Sequence, residues 1–331
     1  MTSDTHVLVT GGAGFIGSHL VDGLLAGRGV RVTVLDALTY AGSLENLSSH
    51  AEDPRLRFVR GDVTDPRAVG PLVADADRVI HAAAESHVDR SIDGPGAFVR
   101  TNVLGTQVVL DACRDHARPL LLVSTDEVYG QGAEGTSFRE DDPPAPRSPY
   151  AASKAAAELL ARAYGATYGL GVTIVRGTNA FGPRQFPEKA IPVFATAALD
   201  GRPLPVYDAG RQRREWLYVT DWARACLTVL ERAEAGTILN IGSGAELTNL
   251  ELATRICTLA GADPASIGFV EARPGHDFRY GLDDARLRAL GWSPEVPFEE
   301  ALARTVAWYR DNRGWVDAML AGAAGASGAA G

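Results

Sequence analysis

The chain has 331 residues, of which 46% are hydrophobic and 22% are charged, a globular composition that excludes extensive disorder. Its formal net charge of −9 argues against nucleic acid or an anionic membrane as a partner of the whole chain. No apolar run reaches the roughly 18 residues of a membrane span, and residues 1–6 lead into a strand without a secretory leader. Three widely separated cysteines, with no His or Cys cluster, predict a cytoplasmic protein that has neither a disulfide framework nor a metal site.

Short apolar segments alternate with segments of helical period in the first half of the chain. The predicted strands are 6–10, 31–36, 56–61, 78–82, 120–124 and 172–176, and the predicted helices include 18–26, 97–112 and 148–168. This alternation predicts an α/β fold with a Rossmann-type, doubly wound parallel sheet.

The pattern changes after Thr178, where proline-bearing loops mix with short strands and helices. We expect residues 1–178 to form the sheet domain and 179–316 a smaller, discontinuous α/β lobe that binds substrate. Segments near 216–241 are expected to return to the first domain. Residues 321–331 contain only Ala, Gly and Ser and are expected to form a flexible tail.

Three glycines, Gly11, Gly14 and Gly17, follow the first predicted strand with the spacing G-x-x-G-x-x-G. Glycines here allow a tight turn and let a pyrophosphate approach the N–H groups at the start of a helix. Asp36 ends the second strand, about 20 residues on, where a carboxylate accepts the adenosine ribose hydroxyls and repels a 2′-phosphate. Each feature alone also fits an ordinary turn, but together they predict a site for NAD rather than NADP.

Tyr150 and Lys154 lie four residues apart near the start of a predicted helix and therefore share one face. An ammonium group beside a phenol is expected to lower the phenol's pKa from about 10, which makes the tyrosine a base. The predicted strand 120–124 before that helix is followed directly by Thr125, Asp126 and Glu127. These two carboxyl groups fit either a solvated acidic turn or an acid and a base at the ligand-binding edge of the sheet, and their position favours the second.

These features together resemble the extended short-chain dehydrogenase/reductase family, over nearly the whole chain to about residue 316. Within that family, the segments 83–91, 124–130, 186–189 and 273–277 resemble dTDP-glucose 4,6-dehydratases. The resemblance implies NAD-dependent oxidation at sugar C4, loss of water across C5 and C6, and return of the hydride to C6. It implies that Tyr150 is the C4 base, assisted by Thr125 and Lys154, that Asp126 is the acid and that Glu127 is the C5 base.

The resemblance also implies two sets of binding residues. The expected contacts to NAD, which is tightly bound and regenerated in each turnover, are Gly11, Gly14, Phe15, Ile16, Gly17, Asp36, Thr39, Gly42, Asp62, Val63, Ala82, Ala83, Thr101, Tyr150, Lys154 and Asn179. The expected contacts to the nucleotide sugar are Ser86, His87, Thr125, Asn179, Lys189, Pro203, Tyr207, Arg214, Asn240, Arg273 and His276. A homodimer, paired through helices such as 97–112 and 148–168, is implied as well.

One segment departs from the dehydratase pattern, because Ala180 and Phe181 stand where an Asn and a Tyr are usual. We expect altered substrate contacts there, so a 4,6-dehydratase for a different nucleoside diphosphate hexose stays open. A sugar-nucleotide 4-epimerase or decarboxylase would not need the pair Asp126 and Glu127. A protein that only senses NAD would not need Tyr150 and Lys154.

Overall fold

Seven parallel strands form the main sheet. The computed structural model describes residues 5–271, 275 and 277–328. Its strands are β1 Thr5–Thr10, β2 Val30–Asp36, β3 Leu56–Arg60, β4 Arg78–His81, β5 Leu120–Thr125, β6 Val172–Gly177, β7 Asn179–Phe181, β8 Leu204–Tyr207, β9 Arg213–Tyr218, β10 Ile238–Ile241, β11 Glu246–Thr248 and β12 Ile267–Val270. The order in the main sheet is β10-β6-β5-β4-β1-β2-β3, so the strand order reverses between β1 and β4. Ligands bind at the carboxyl edge of such a sheet, beside that reversal.

Helices cover both faces of the sheet. They are α1 Phe15–Ala26, α2 Pro66–Asp75, α3 Val88–Asp93, α4 Pro95–Phe98, α5 Gly105–Asp115, α6 Pro149–Tyr168, α7 Ala190–Leu199, α8 Val219–Arg232, α9 Asn249–Ala260, α10 Ala285–Ala289, α11 Phe298–Asp311 and α12 Arg313–Gly328. On one face α1 packs against α8, and on the other α5 packs between α2 and α6. Successive residues of β1 alternate between the two cores, with Val7 and Val9 on one face and Leu8 on the other. The predicted doubly wound α/β fold is confirmed.

The predicted helix 97–112 is interrupted in the structure. A π-helical segment, Val99–Leu104, lies between α4 and α5. It turns Asn102 inward, where the side chain accepts a hydrogen bond from the Glu85 backbone N–H and donates to the Ser153 hydroxyl, both at 2.8–2.9 Å. The interruption therefore fastens α6 to the loop that follows β4, and π-helical turns often occur near functional sites.

The second lobe packs α7, α9 and α11 around its own apolar core, which includes Phe194, Leu252 and Leu302. Two small sheets complete it, one with the order β11-β9-β7 and one that pairs β8 with β12. Segments near 216–241 also reach the first domain, since β10 is the edge strand beside β6 and α8 packs on α1.

The C-terminal segment, expected to be a flexible tail from Ala321, begins inside the last helix. The backbone of α12 is helical as far as Gly328. Alanine has the highest helix propensity of the residues, and it offsets the glycines in this segment. In the described part of the chain, no helix combines the length and the apolar character needed to cross a bilayer.

A buried ion pair joins three elements behind the carboxyl edge. The Glu158 carboxylate of α6 accepts hydrogen bonds from the Arg176 guanidinium of β6, at 2.6 Å from Nη2 and 3.0 Å from Nε, and both side chains are 1% exposed. The Ser124 hydroxyl of β5 donates to the same carboxylate. Ser124 and Arg176 are direct partners in the ladder between β5 and β6. The pair thus ties the end of β5 to α6.

Replacing Glu158 with Gln should leave Arg176 as a buried cation without a charged partner. We expect the free energy of unfolding to fall by about 3–5 kcal/mol, the usual cost of breaking a buried pair, as measured by urea denaturation followed by circular dichroism. Glu300→Gln is the matched control, because Glu300 pairs with Arg304 on the half-exposed face of α11. Its loss should stay below about 1 kcal/mol. Equal losses in the two variants would contradict this prediction.

Candidate active site

Two adjoining cavities lie along the carboxyl edge of the main sheet. The first, the glycine-turn cavity, is lined by Gly11, Gly14, Gly17 and Asp36 among others. The second, the acidic-pair cavity, contains Asp126 and Glu127 and extends into the second lobe. Residues that line both cavities are Phe15, Ile16, Ser86, Ser124, Tyr150, Gln185, Glu188 and Lys189. A molecule in one cavity therefore lies against a molecule in the other.

The glycine turn forms a close-fitting wall of the first cavity. Gly11 has φ +72°, and a Cβ atom there would lie 2.6 Å from the Ala83 backbone. A Cβ atom on Gly17 would lie 2.0 Å from the Gly11 carbonyl oxygen. α1 begins at Phe15, and its N-cap Gly14 supplies no side-chain acceptor for the first N–H groups. Those groups and the positive end of the helix dipole suit a pyrophosphate.

Asp36 ends β2 at the far side of the same cavity. Its buried carboxylate accepts hydrogen bonds from the backbone N–H groups of Ala13 at 3.0 Å and Leu38 at 2.8 Å. Burial raises the pKa of Asp36, and the two amide hydrogen bonds act against that rise. The carboxylate is thus held rigidly between the glycine turn and the loop after β2, where it can accept ribose hydroxyls.

The cofactor residues expected from the sequence converge on one place. All of them except Asn179 line the glycine-turn cavity. Asn179, at the start of β7, lines the acidic-pair cavity instead. The structure adds lining residues that the sequence did not predict as cofactor contacts: Leu35, Ala37, Ala41, Gly61, Ala84, Glu85, Ser86, Val123, Ser124, Gln185, Phe186, Glu188 and Lys189. Glu188 and Lys189 belong to the segment 186–189, in which the sequence predicts only one ligand contact, that of Lys189 with the substrate. No local pattern showed that this segment also lines the cofactor cavity of the first domain.

Asp126 and Glu127 lie directly after β5, in the 3₁₀ helix Asp126–Tyr129. The Thr125 hydroxyl accepts a hydrogen bond from the Glu127 N–H at 3.3 Å and donates to Asp126 Oδ1 at 3.2 Å. Asp126 is 2% exposed, and its Oδ2 atom has no hydrogen-bond partner among the described residues. The turn therefore brings both carboxyl groups to the cavity, one deeply buried and one at its surface.

The two carboxyl groups occupy different electrostatic environments. Burial and then the charge of Glu127 raise the pKa of Asp126 to about 8, while Arg214 and the Thr125 hydrogen bond act in the opposite direction. Asp126 consequently keeps its proton at neutral pH and can serve as an acid. The sequence pattern alone identifies the pair, but only burial distinguishes its two members.

Tyr150 and Lys154 lie in the first two turns of α6, which Ser148 caps by accepting a hydrogen bond from the Ala151 N–H. Both side chains are buried, and Tyr150 lines both cavities. The Lys154 ammonium donates to the Val123 carbonyl at 2.7 Å. Burial lowers the pKa of Lys154 to about 8, and the nearby Glu158 carboxylate opposes that change.

The pKa of Tyr150 differs from the value expected from the sequence. Burial, followed by the charge of Glu127, raises it above its usual value of about 10. A hydrogen bond from Thr125 is the main effect in the other direction, and Lys154 is not among the principal causes. The expected lowering by Lys154 was therefore wrong for the protein alone, because the ammonium bonds to a carbonyl and desolvation of the phenol dominates.

Most of the expected substrate residues line the acidic-pair cavity: Ser86, His87, Thr125, Asn179, Lys189, Tyr207 and Arg214. The Arg214 guanidinium is held by the carbonyl groups of Asp277 at 2.8 Å and Phe278 at 3.1 Å. The Asn179 amide nitrogen is buried and has no hydrogen-bond partner among the described residues. An unpaired buried donor beside a fixed cation is a suitable place for an anionic ligand.

Two expected substrate residues lie elsewhere. Asn240 is fully buried, its amide accepts from the Tyr129 hydroxyl and donates to the carbonyls of Phe138 and Asp283, and it lines neither cavity. It is a structural residue, so its expected diphosphate contact was wrong. Pro203 is exposed before β8, and Pro205 lines the acidic-pair cavity in its place.

Two further expected residues, Arg273 and His276, lie outside the described residues. The neighbouring Tyr280 was not predicted but lines the acidic-pair cavity. Its hydroxyl donates to Asp277 at 2.6 Å, and the Arg214 guanidinium lies 4.5 Å from its ring centre. Only the folded chain brings this tyrosine under the arginine.

Of the two residues that depart from the dehydratase pattern, Ala180 and Phe181, only one lies at the site. Ala180 lines the acidic-pair cavity, whereas Phe181 is buried in the core of the second lobe, with ring contacts to Trp216 and Phe298. The expectation that Phe181 changes a substrate contact was therefore wrong. Its aromatic ring fills core volume, and any change in specificity falls to Ala180.

Comparison with known proteins agrees with this geometry. The model of the NAD dependent epimerase/dehydratase family matches residues 7–242. The dTDP-glucose 4,6-dehydratase of Streptomyces niveus is 51% identical over 316 residues, covering 93% of this chain and 94% of that protein. The low-salt glycan biosynthesis protein Agl12 of Haloferax volcanii is 52% identical over 304 residues, covering 92% and 98%. The crystal structure of DesIV, a dTDP-glucose 4,6-dehydratase of Streptomyces venezuelae solved with NAD and TYD bound, has a TM-score of 0.93 at 50% identity, covering 95% of this chain and 100% of that one.

The doubly wound fold and the tyrosine and lysine beside the glycine turn define an NAD-dependent enzyme. The chain belongs to the NAD dependent epimerase/dehydratase family. The family and the cofactor expected from the sequence are thereby confirmed.

Replacing Glu127 with Gln should lower the pKa of Asp126 below about 8, because it removes the charge that raises this pKa most after burial. At pH 7 the protonated fraction of Asp126 should therefore fall. The measurement is a ¹³C NMR titration of protein labelled at the aspartate carboxyl carbons. Glu134→Gln, in an exposed loop, is the control and should leave this titration unchanged. A midpoint near 4 in the unmodified protein would contradict the assignment.

Proposed function

We propose that the protein is a dTDP-glucose 4,6-dehydratase, a hydro-lyase that converts dTDP-glucose to dTDP-4-keto-6-deoxyglucose. The observation that carries the proposal is the acidic pair, in which a buried Asp126 keeps its proton beside Glu127. Elimination of water needs one acid and one base at neighbouring carbons, and this pair supplies both. The activity of the relatives from Streptomyces niveus and Streptomyces venezuelae supports the same reaction.

Oxidation at sugar C4 begins with removal of the hydroxyl proton. Tyr150 lines both cavities and is placed to take that proton, with Thr125 beside it. The glycine turn, Asp36 and Lys154 would hold NAD, which would supply the hydride acceptor for C4 and the hydride donor for C6. Its positive charge would also favour the phenolate form of Tyr150. That charge matters because burial and Glu127 raise the pKa of Tyr150.

Elimination follows from the 4-keto group, which makes the C5 proton acidic. Glu127 takes the C5 proton, and Asp126 gives its proton to the C6 hydroxyl, which leaves as water. The C5–H and C6–O bonds break and a C5=C6 double bond forms, so the carboxyl groups exchange protonation states. Return of hydride to C6 and of the Glu127 proton to C5 completes the product and restores Glu127. The proton that Tyr150 took from the C4 hydroxyl balances the one that Asp126 gave to the leaving water, and its passage to Asp126 restores both of these groups.

The diphosphate of the substrate is assigned to Lys189, Arg214 and Asn179. All three line the acidic-pair cavity, and the guanidinium of Arg214 is fixed by backbone carbonyls. Arg214 also lowers the pKa of Asp126, which indicates that the phosphate site lies close to the reacting sugar. Tyr207, at the end of β8, extends this cavity towards the nucleobase.

A homodimer in a reducing, cytoplasmic setting also belongs to this proposal. The apolar side chains of Val99, Leu104 and Leu159 are 45–56% exposed on the π-helical segment and on α6, which pack against each other. Together they offer an apolar face that a second copy would cover. The cysteines among the described residues are buried thiols, which suits a reducing compartment.

Purified protein incubated with dTDP-glucose, without added cofactor, should yield a product about 18 Da lighter than the substrate, because one water molecule is lost in each turnover. Mass spectrometry measures this difference. Asp126→Asn should reduce turnover about 10²- to 10⁴-fold, because it removes general acid catalysis. Bound NAD should be unchanged in that variant. A C4 epimer of unchanged mass, or no conversion of dTDP-glucose, would overturn the proposal.

Sedimentation velocity should give a dimer for the unmodified chain. The double change Leu104→Glu with Leu159→Glu should shift the protein to monomers, because it places charges on the apolar face. Phe269→Glu changes an equally exposed apolar residue on β12 of the second lobe and is the control. A monomer without any substitution would contradict the dimer.

A further inference from the structure

Tyr40 joins three separate segments beside the glycine-turn cavity. Its hydroxyl donates to Glu188 Oε1 at 3.0 Å, across 148 residues of sequence. Its ring meets Phe186 edge-on, with 5.3 Å between ring centres. The Arg90 guanidinium carbon lies 3.7 Å from the centre of the Tyr40 ring, within the range of a cation–π contact. One side chain from the first domain is thus bonded to α3 and to the second lobe.

The segment that Tyr40 holds is a wall of the glycine-turn cavity. Among the described residues that line this cavity, those beyond Lys154 all lie in the segment 185–189, namely Gln185, Phe186, Glu188 and Lys189. The residues on either side of Tyr40, Thr39 and Ala41, also line this cavity. The contact between Tyr40 and this segment therefore links two parts of the cavity lining that are remote in sequence.

The same segment is fastened at its other end near the substrate. The Lys189 ammonium donates to the Ser86 carbonyl at 2.5 Å, and His87 Nε2 lies 3.2 Å from the Glu188 carbonyl oxygen. Ser86, His87 and Lys189 all line the acidic-pair cavity. The segment thus has attachments on both the cofactor side and the substrate side.

The attachment at Tyr40 is stronger than a hydrogen bond on an open surface. Glu188 is half-buried, and Arg90 and Lys189 contribute positive charge around it. A hydrogen bond to a carboxylate in such surroundings is worth more than one between neutral groups. A buried ring contact and a cation over the ring add to it.

We propose that Tyr40 and the segment 185–189 form a clasp that retains the dinucleotide, above all in its reduced form, until the hydride has returned to the sugar. This inference rests on the proposed function, in which one cofactor molecule is reduced and reoxidised within each turnover. Escape of NADH after C4 oxidation would strand a 4-keto intermediate and an enzyme without cofactor. A contact that links two parts of the cofactor cavity lining, in a segment that also lines the acidic-pair cavity, meets this demand.

The first test measures cofactor release. Protein loaded with radiolabelled NAD is freed of unbound cofactor, and loss of label is followed in excess unlabelled NAD. Tyr40→Phe keeps the ring but removes the hydrogen bond, so we expect release roughly tenfold faster, the factor that such a bond contributes. Tyr40→Ala, which also removes both ring contacts, should release the cofactor faster still. Both variants should regain the unmodified melting temperature in saturating NAD.

Tyr164→Phe is the matched control. The Tyr164 hydroxyl donates to Asp111 Oδ1 at 2.8 Å, so this change also removes a bond between a tyrosine and a carboxylate. Tyr164 lines neither cavity. Its release rate should equal that of the unmodified protein.

The second test follows the hydride. With dTDP-glucose deuterated at C4 and excess unlabelled NADH in solution, the unmodified enzyme should deliver the deuterium to C6 of the product. Tyr40→Phe and Tyr40→Ala should form product with protium at C6, because NADH exchanges during the turnover. Mass spectrometry measures the ratio of the two products.

The two proposals fail in different ways. Absence of dehydration by the unmodified protein would overturn the proposed function. The release experiment would still test whether Tyr40 retains the dinucleotide. Normal dehydration together with equal release rates and full deuterium transfer in Tyr40→Ala would overturn the clasp alone. Faster release in Tyr164→Phe would overturn it as well, because the effect would then not belong to this contact.

Discussion

The buried ion pair between Glu158 and Arg176 is the constraint on which the active edge depends. Two charges at 1% exposure are costly to desolvate, and they are tolerated only because their hydrogen bonds to each other and to neighbours are complete. Arg176 also lies 4.6 Å from the ring centre of Tyr129, the last residue of the 3₁₀ helix that begins at Asp126. One pair therefore fixes β5, α6 and the acidic turn relative to each other, and with them the residues proposed for catalysis.

This arrangement also separates the charges that the chemistry needs. Glu158 lies one turn after Lys154 on α6 and favours its charged form, although burial lowers its pKa to about 8. On the other side of β5, Glu127 has the opposite effect on Asp126 and favours its neutral form. Because opposite and like charges act at short range in a dry interior, neighbouring groups are driven to different protonation states. The Glu158 carboxylate thus favours the charged form of Lys154, and the charge of Glu127 favours the protonated form of Asp126.

Local pattern accounted for the parts of the site that follow strands. The glycine turn after β1, Asp36 after β2 and the acidic pair after β5 could be placed because parallel strands bring their carboxyl ends to one edge. The structural role of Asn240 could not be predicted, since the carbonyl groups of Phe138 and Asp283, which accept from its side-chain amide, are remote in sequence. The pKa of Tyr150 also escaped prediction, because it depends on burial, which a four-residue spacing does not reveal.

Residues that line both cavities explain why parts of the chain remote in sequence contribute to a reaction at the carboxyl edge of the main sheet. Tyr150 lines both cavities, and so do Glu188 and Lys189 from the second lobe. Lys189, the proposed phosphate contact, is therefore adjacent in sequence to Glu188, which accepts the hydrogen bond from Tyr40 beside the cofactor cavity. In a cycle that leaves the cofactor unchanged, specificity for the sugar and retention of the dinucleotide are requirements on the same few residues. Substitutions in 185–189 are therefore expected to affect sugar specificity and dinucleotide retention together. Tyr40 contacts this segment from the cofactor side, so substitutions of Tyr40 are expected to affect retention of the dinucleotide alone.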